Sequence, residues 1–168
     1  TWLVFNRAMR LSLRNPVWVI LGLMQPILYL ILFGPLLEPV ASAPGFPPGS
    51  AWQVFVPGLL VQLGIFGAAF AGFGLIAEWR AGVIERMRVT PASRGSLLLG
   101  RVLRDVVVIL VQGALLSVVA VAFFGLEAPP AGLVIGVAIV GLLGGAFSAL
   151  SYGAALKLKS EDSFAPVV

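Results

Sequence analysis

Charged residues divide the chain into long uncharged runs. Residues 15–37 make a run of 23, residues 39–77 one of 39, residues 106–126 one of 21 and residues 128–156 one of 29. A helix needs about 20 apolar residues to cross the hydrocarbon core of a bilayer, so each run is long enough for one crossing. The run 39–77 opens with Pro39-Val-Ala-Ser-Ala-Pro-Gly-Phe-Pro-Pro-Gly-Ser50, with four prolines and two glycines in twelve residues. Such a stretch leaves too many backbone groups unpaired for lipid, and it reads as a loop. The pattern predicts an all-α integral membrane protein, a polytopic helix bundle with four complete transmembrane helices, an N-terminal interfacial helix and the start of a fifth span. The expected segments are an amphipathic helix over 1–14, crossings over 15–37 and 52–77, an outer loop over 38–51, and a cytoplasmic segment over 78–95. A third crossing with a cytoplasmic extension follows over 96–126, then an outer loop over 127–130, a fourth crossing over 131–156, and a cytoplasmic loop over 157–168 that begins a truncated fifth span.

Local signals refine these segments. Arg7, Arg10 and Arg14 fall on one face of the first helix, and Trp2, Phe5, Met9 and Leu13 follow another. A basic amphipathic helix of this kind lies in the headgroup plane. Asn15-Pro16 supplies an N-cap and a first helical proline for the next helix. Pro26 predicts a kink near Gly22–Pro26, and Gly34-Pro35 an end or a broken last turn. Small residues recur every fourth position as Gly64, Ala68 and Gly72, and again as Gly141, Gly145, Ala149 and Gly153. Such stripes let helix backbones approach closely in lipid, so they read as packing seams. The short Gly125–Pro130 connection implies an antiparallel hairpin. Ser160, followed by Glu161 and Asp162, reads as the cap of a new helix.

Composition closes off whole classes of function. Of the 168 residues, 60% are hydrophobic and 11% charged, with a mean hydropathy of +1.05. A soluble domain carries about 25% charged residues, so soluble enzymes and soluble DNA binders are excluded. The sequence has neither Cys nor His, which removes disulfides, thiolate nucleophiles, structural zinc and histidine proton relays. No metal site is expected.

The basicity has a place in the topology. Lys and Arg number 3, 0, 6, 0 and 2 in the five successive segments between crossings. All eleven fall on one side, and the positive-inside rule makes that side, with the N-terminus, cytoplasmic. A nucleic-acid partner is not expected, because the positive charge is accounted for by the bilayer. Nine Arg against two Lys suggest a GC-rich bacterial source, hence the inner membrane of a bacterial cell.

Polar groups inside the crossings are few. No charged residue lies centrally in any span, which counts against ion-coupled transport. Gln25, Gln62 and Gln112 are expected at three depths. They read either as interhelical hydrogen bonds or as contacts along a substrate path, and a path of apolar and amide groups suits a lipophilic or amphipathic cargo.

Residues 78–95, Glu-Trp-Arg-Ala-Gly-Val-Ile-Glu-Arg-Met-Arg-Val-Thr-Pro-Ala-Ser-Arg-Gly, form the longest cytoplasmic piece and the densest in charge. Val83, Ile84 and Met87 can share one face of a short helix, while Arg80, Glu85, Arg86 and Arg88 project elsewhere. Pro91 interrupts the helix and Ser93 can cap the next one. Two readings stand: a surface rod offered to a cytoplasmic partner, and plain positive-inside decoration.

The sequence resembles the membrane subunit of type-two ABC exporters of the daunorubicin-resistance kind. The resemblance rests on Arg14-Asn-Pro16 with Gln25-Pro26, on Val56-Pro-Gly-Leu59, on the run from Glu78 to Arg94, and on Leu156-Lys-Leu-Lys-Ser-Glu-Asp162. It implies the membrane passage of an efflux system that exports a drug, lipid or glycoconjugate. In that family a separate cytoplasmic ABC ATPase subunit binds ATP and Mg, and a second permease subunit completes a homo- or heterodimer. The chain itself would be no enzyme and would bind no cofactor. The resemblance makes 78–95 the ATPase-coupling segment, with Gly82, Glu85, Thr90 and Pro91 matching the motif. Val83 and Met87 would pack into the ATPase, and Glu78, Arg80, Arg86 and Arg94 would lie along the same segment. The helix over 1–14 would be the family's connecting helix. Independently of the resemblance, no G-x-x-x-x-G-K-[ST] phosphate loop occurs in the sequence. A non-transporting membrane scaffold and a lipid-modifying membrane enzyme are the alternatives. Nucleotide-dependent cargo movement separates the first, and turnover without nucleotide would favour the second.

Overall fold

The computed structural model describes residues 2–14, 17–41, 50–83, 93–158 and 160–167, and every regular element among them is helical. In chain order these are α1 (Trp2–Arg14), α2 (Val17–Ala41), α3 (Ala51–Ala69), α4 (Ala71–Arg80), α5 (Arg94–Phe124), α6 (Pro130–Leu158) and α7 (Glu161–Phe164), with a 3-10 turn over Ala165–Val167. Three stretches, Ala51–Arg80, Gly95–Phe124 and Pro130–Leu158, are long and apolar enough to cross a membrane. α2 adds a shorter apolar stretch, Ile20–Gly34. Its 25 residues extend about 37 Å at 1.5 Å per residue. Large apolar side chains such as Leu28, Val118, Phe123, Val134, Leu142 and Leu150 are exposed, while Ser117, Ser148 and Ser151 are buried. This is the reverse of a water-soluble domain, and it fits a bundle whose solvent is lipid.

α6 lies at the centre and packs against α3, α4 and α5, and α5 also receives α1, α2 and α3. Leu30, Val56, Leu60, Ile109, Leu116 and Val140 belong to one core cluster. Leu75, Ile76, Tyr152, Ala155 and Phe164 form a second, toward the ends of α4 and α6 that carry Arg80 and Lys157. That end of the bundle also holds Arg101 and Arg104 of α5, so the cations of the described residues gather there.

Glycines set the close approaches. A Cβ on Gly64 would stand 2.8 Å from Val140 Cγ1, and one on Gly145 2.8 Å from Val106 Cγ2. Gly141 and Gly144 lie as tightly against Leu110 and Ile109. Ala68 and Gly72 are buried too. Ala149 and Gly153 are exposed, and a Cβ on Gly153 would meet nothing within 4 Å. The reason is rotation: each four-residue step turns about 40° on a helix of 3.6 residues per turn, so the stripe leaves the interface after Gly145. The buried line continues instead through Ser148, Ser151, Tyr152 and Ala155.

The far end is closed by the hairpin between α5 and α6. Gly125, at φ +65°, ends α5 in the left-handed region where a side chain is strained. Gln53 Nε2 donates to the Glu127 carbonyl at 2.9 Å, and the Trp52 and Phe124 rings lie 5.1 Å apart.

The structure departs from the sequence expectations at several points. α2 runs on past Gly34-Pro35, where an end or a broken last turn was expected, to Ala41. Gly34 is buried directly beneath the Trp52 ring, which holds that stretch against α3. The one long span expected over 52–77 lies within the apolar stretch Ala51–Arg80, and it carries an unforeseen break at Phe70 between α3 and α4. One face of α1 packs on α5, a contact the sequence did not show: a Cβ on Gly100 would come 2.9 Å from Val4 Cβ and 3.0 Å from the Phe5 nitrogen. Ser160 takes the cap position of α7 with extended backbone, but its side chain makes no capping bond. Phe164 of α7 is fully buried and meets the Phe73 ring edge-on at 4.8 Å. Asn15 and Pro16 lie outside the described residues.

Candidate functional site at the basic end of the bundle

The site is built where α4 ends and α5 begins. α4 ends at Arg80, and two residues on stands Gly82, whose φ of +67° a side chain would strain. Its N–H donates to the Trp79 carbonyl at 3.0 Å, and the Ala81 N–H to the Ala77 carbonyl at 3.0 Å. These bonds satisfy carbonyls that a helix end leaves over. On the other side, Ser93 caps α5: its Oγ accepts from the Ser96 N–H at 3.2 Å, and Ser96 Oγ donates to the Ser93 carbonyl at 2.8 Å. Residues 84–92 therefore leave from one capped helix end and return to another.

The two flanks are tied together. The Arg101 guanidinium of α5 forms an ion pair with the Glu78 carboxylate of α4, and the Arg101 side chain is largely buried. Arg80 Nη1 reaches Glu161 Oε1 of α7 at 3.4 Å, in an exposed setting.

Behind these pairs each flank is fastened to α6. Tyr152 of α6 donates its phenolic hydrogen to Asp105 Oδ2 of α5 at 2.6 Å, and both residues are buried. Arg104 Nη1 lies 3.1 Å from the other carboxylate oxygen. Ser148, one turn before Tyr152 on the same side of α6, is fully buried. On the α4 side, Ser151 inserts its hydroxyl into the break at Phe70. Ser151 Oγ accepts from the Gly72 N–H at 2.9 Å and donates to the Ala69 carbonyl at 2.6 Å. A side chain entering the i to i−4 ladder is a recognised cause of a helix break without proline. The backbone groups it frees are re-paired by the same hydroxyl, as lipid surroundings require. Gly72 makes room, since a Cβ there would stand 2.8 Å from Ser151 Oγ.

The structure thus brings Glu78, Arg80 and Gly82 to one end of the bundle, with the half-buried Val83 at its edge and Arg94 as the first residue of α5. Glu85, Arg86, Met87, Thr90 and Pro91 lie outside the described residues. Gln112 is buried with its amide against Gly22, where an added Cβ would be 2.6 Å from Nε2. Gln25 is exposed on α2 and its Nε2 lies 3.5 Å from Tyr29 Oη, and Gln62 is half-buried on α3. Ser151 and Tyr152 read from the sequence as polar residues inside a crossing, with interhelical hydrogen bonds the favoured role; sequence reasoning missed Asp105 and the partners of all three. The available signals were a lone carboxylate at the edge of an uncharged run and a Ser-Tyr pair inside a glycine-rich span. Among the described residues no group of carboxylates is placed to hold a metal ion.

Comparison with known proteins places this architecture. The family described as ABC-2 type transporter matches residues 1–168. A relative from Cyanophora paradoxa, "Putative transport permease ycf38", is 31% identical over 118 residues, which cover 70% of this chain and 40% of that protein. The chain thus aligns with less than half the length of that curated relative. No solved structure matches. With the family match running over the whole chain, and with helices long and apolar enough to cross a bilayer, the chain belongs to the ABC-2 type transporter family of membrane proteins.

Proposed function

We propose that the chain is the membrane-spanning part of an ATP-driven exporter. It crosses the bilayer four times, with α2 as the first crossing, and its basic end faces the cytoplasm of a bacterial cell. A separate ATPase binds ATP and Mg, docks on residues 78–95, and imposes the conformational cycle through them. A second permease subunit completes the passage, and the cargo is lipophilic or amphipathic. The family match and the name of the relative support a transport role. The placement of all Lys and Arg in alternate segments supports the orientation.

The observation that carries the coupling reading is the ion pair between Glu78 and Arg101. It closes the base of the segment 84–92, so a push on that segment moves α4 and α5 together. The Ser151 clasp and the bond between Tyr152 and Asp105 then pass the displacement to α6. A loosely attached loop would dissipate the same push. The absence of charge deep in the helices fits a cargo that is itself apolar in part.

The test is co-purification of the intact permease with its ATPase. Glu85→Arg, and the pair Val83→Asp with Met87→Asp, are expected to abolish association while membrane insertion is unchanged. Undiminished co-purification of both variants would remove residues 78–95 as the docking element.

A further inference from the structure

We propose that the outward face of α1 binds anionic phospholipid headgroups of the leaflet at the basic end of the bundle. α1 carries three arginines, Arg7, Arg10 and Arg14, and no acidic residue. Arg80 of α4 and Arg101 and Arg104 of α5 each face a carboxylate. The three on α1 are exposed and have no ion-pair partner among the described residues. An open groove along the helix is lined by Leu3, Asn6, Arg7, Arg10, Leu11 and Arg14.

The face is fixed in place by its reverse side. Because Val4 and Phe5 sit against Gly100, α1 cannot roll its apolar residues inward. Leu3 and Leu11 therefore stay outside, 82% and 52% exposed, beside the arginines. In water such a face would be poorly solvated. At a membrane it is complementary: leucines enter the acyl boundary while guanidinium groups meet phosphate oxygens, often with two parallel N–H donors each. The level is right for this. Leu99 and Leu103, on either side of Gly100, are exposed on α5, so the apolar outer surface of the bundle reaches α1. The charge, the apolar interleaving and this continuity point to a lipid, whose phosphate is fixed at that depth. The inference rests on the membrane reading of the helices and not on transport.

The chain has no cysteine, so Leu11→Cys carries a single bimane probe. The full chain is placed in phosphatidylcholine nanodiscs doped with headgroup-proximal brominated phosphatidylglycerol or brominated phosphatidylcholine. The expected result is half-quenching at a lower mole fraction of phosphatidylglycerol. Each of Arg7→Gln, Arg10→Gln and Arg14→Gln should reduce that preference by up to about fivefold at low salt, and the triple variant should have none. Equal quenching by the two lipids would overturn the proposal. So would loss of the preference on adding inorganic phosphate at fixed ionic strength, which would assign the face to free phosphate. Equal quenching combined with shielding of the probe from aqueous iodide only in the ATPase complex would assign it to the protein partner, and would overturn the proposal likewise.

Discussion

The backbone N–H of Gly72 donates to the hydroxyl of Ser151 at 2.9 Å, and the same hydroxyl donates to the Ala69 carbonyl at 2.6 Å. One side chain of α6 thus holds the junction of α3 and α4 together. Ser151→Ala leaves a buried N–H and a buried carbonyl without partners, and a cost of about 1–3 kcal/mol is expected. Gly72→Ala should cost about 1–3 kcal/mol through overpacking against Ser151. The double variant should lose less than the sum, because both changes disrupt one contact. Thermal unfolding in detergent measures all three.

Glu78 and Arg101 pair where α4 ends and α5 begins. A double-mutant cycle with Glu78→Gln and Arg101→Gln should give a coupling of about 1–2 kcal/mol, above the usual exposed pair. The exposed pair of Arg80 and Glu161 should give less than about 1 kcal/mol and weaken with salt. In the intact transporter, the first pair of variants should uncouple ATP hydrolysis from cargo movement, whereas changes at Glu161 should not.

The bond between Tyr152 and Asp105 is buried on both sides. Tyr152→Phe leaves Asp105 Oδ2 without its donor while Arg104 still faces Oδ1, and it should lower stability by about 1–3 kcal/mol. Adding Asp105→Leu also takes the ion-pair partner from Arg104, so the double variant should unfold at a lower temperature than Tyr152→Phe alone.

The glycines divide into two kinds. Gly64→Val places methyl groups against Val140 and should destabilise by about 1–3 kcal/mol. Gly153→Ala meets open space and should be neutral, or stabilise by up to about 1 kcal/mol through helix propensity. Unfolding of the two variants side by side checks the division.

Much of the architecture was legible because a bilayer imposes simple rules. A crossing helix cannot carry unpaired charge, so uncharged runs mark the spans, and cations choose one side. Ser93 and Gly125 were legible as a cap and a hairpin boundary from local chemistry alone. The junction at Phe70 was not, because its cause lies in Ser151, about eighty positions away in sequence, and no proline marks it. The burial of Asp105 was not legible, although the helix that Ser93 opens contains it, because its partner Tyr152 comes from α6. The outward turn of Ala149 and Gly153 follows from helical rotation, which a fixed four-residue stripe ignores. Glu78 and Arg80 were legible as members of the segment, but their partners Arg101 and Glu161 come from other helices.

The central claim is that residues 78–95 face the cytoplasm while the hairpin between α5 and α6 faces the opposite side. The most direct test places single cysteines at Arg86 and at Glu127 and treats bacterial spheroplasts with a membrane-impermeant maleimide. The account predicts that Glu127→Cys is labelled in intact spheroplasts and Arg86→Cys only after permeabilisation. Labelling of both from outside would contradict it.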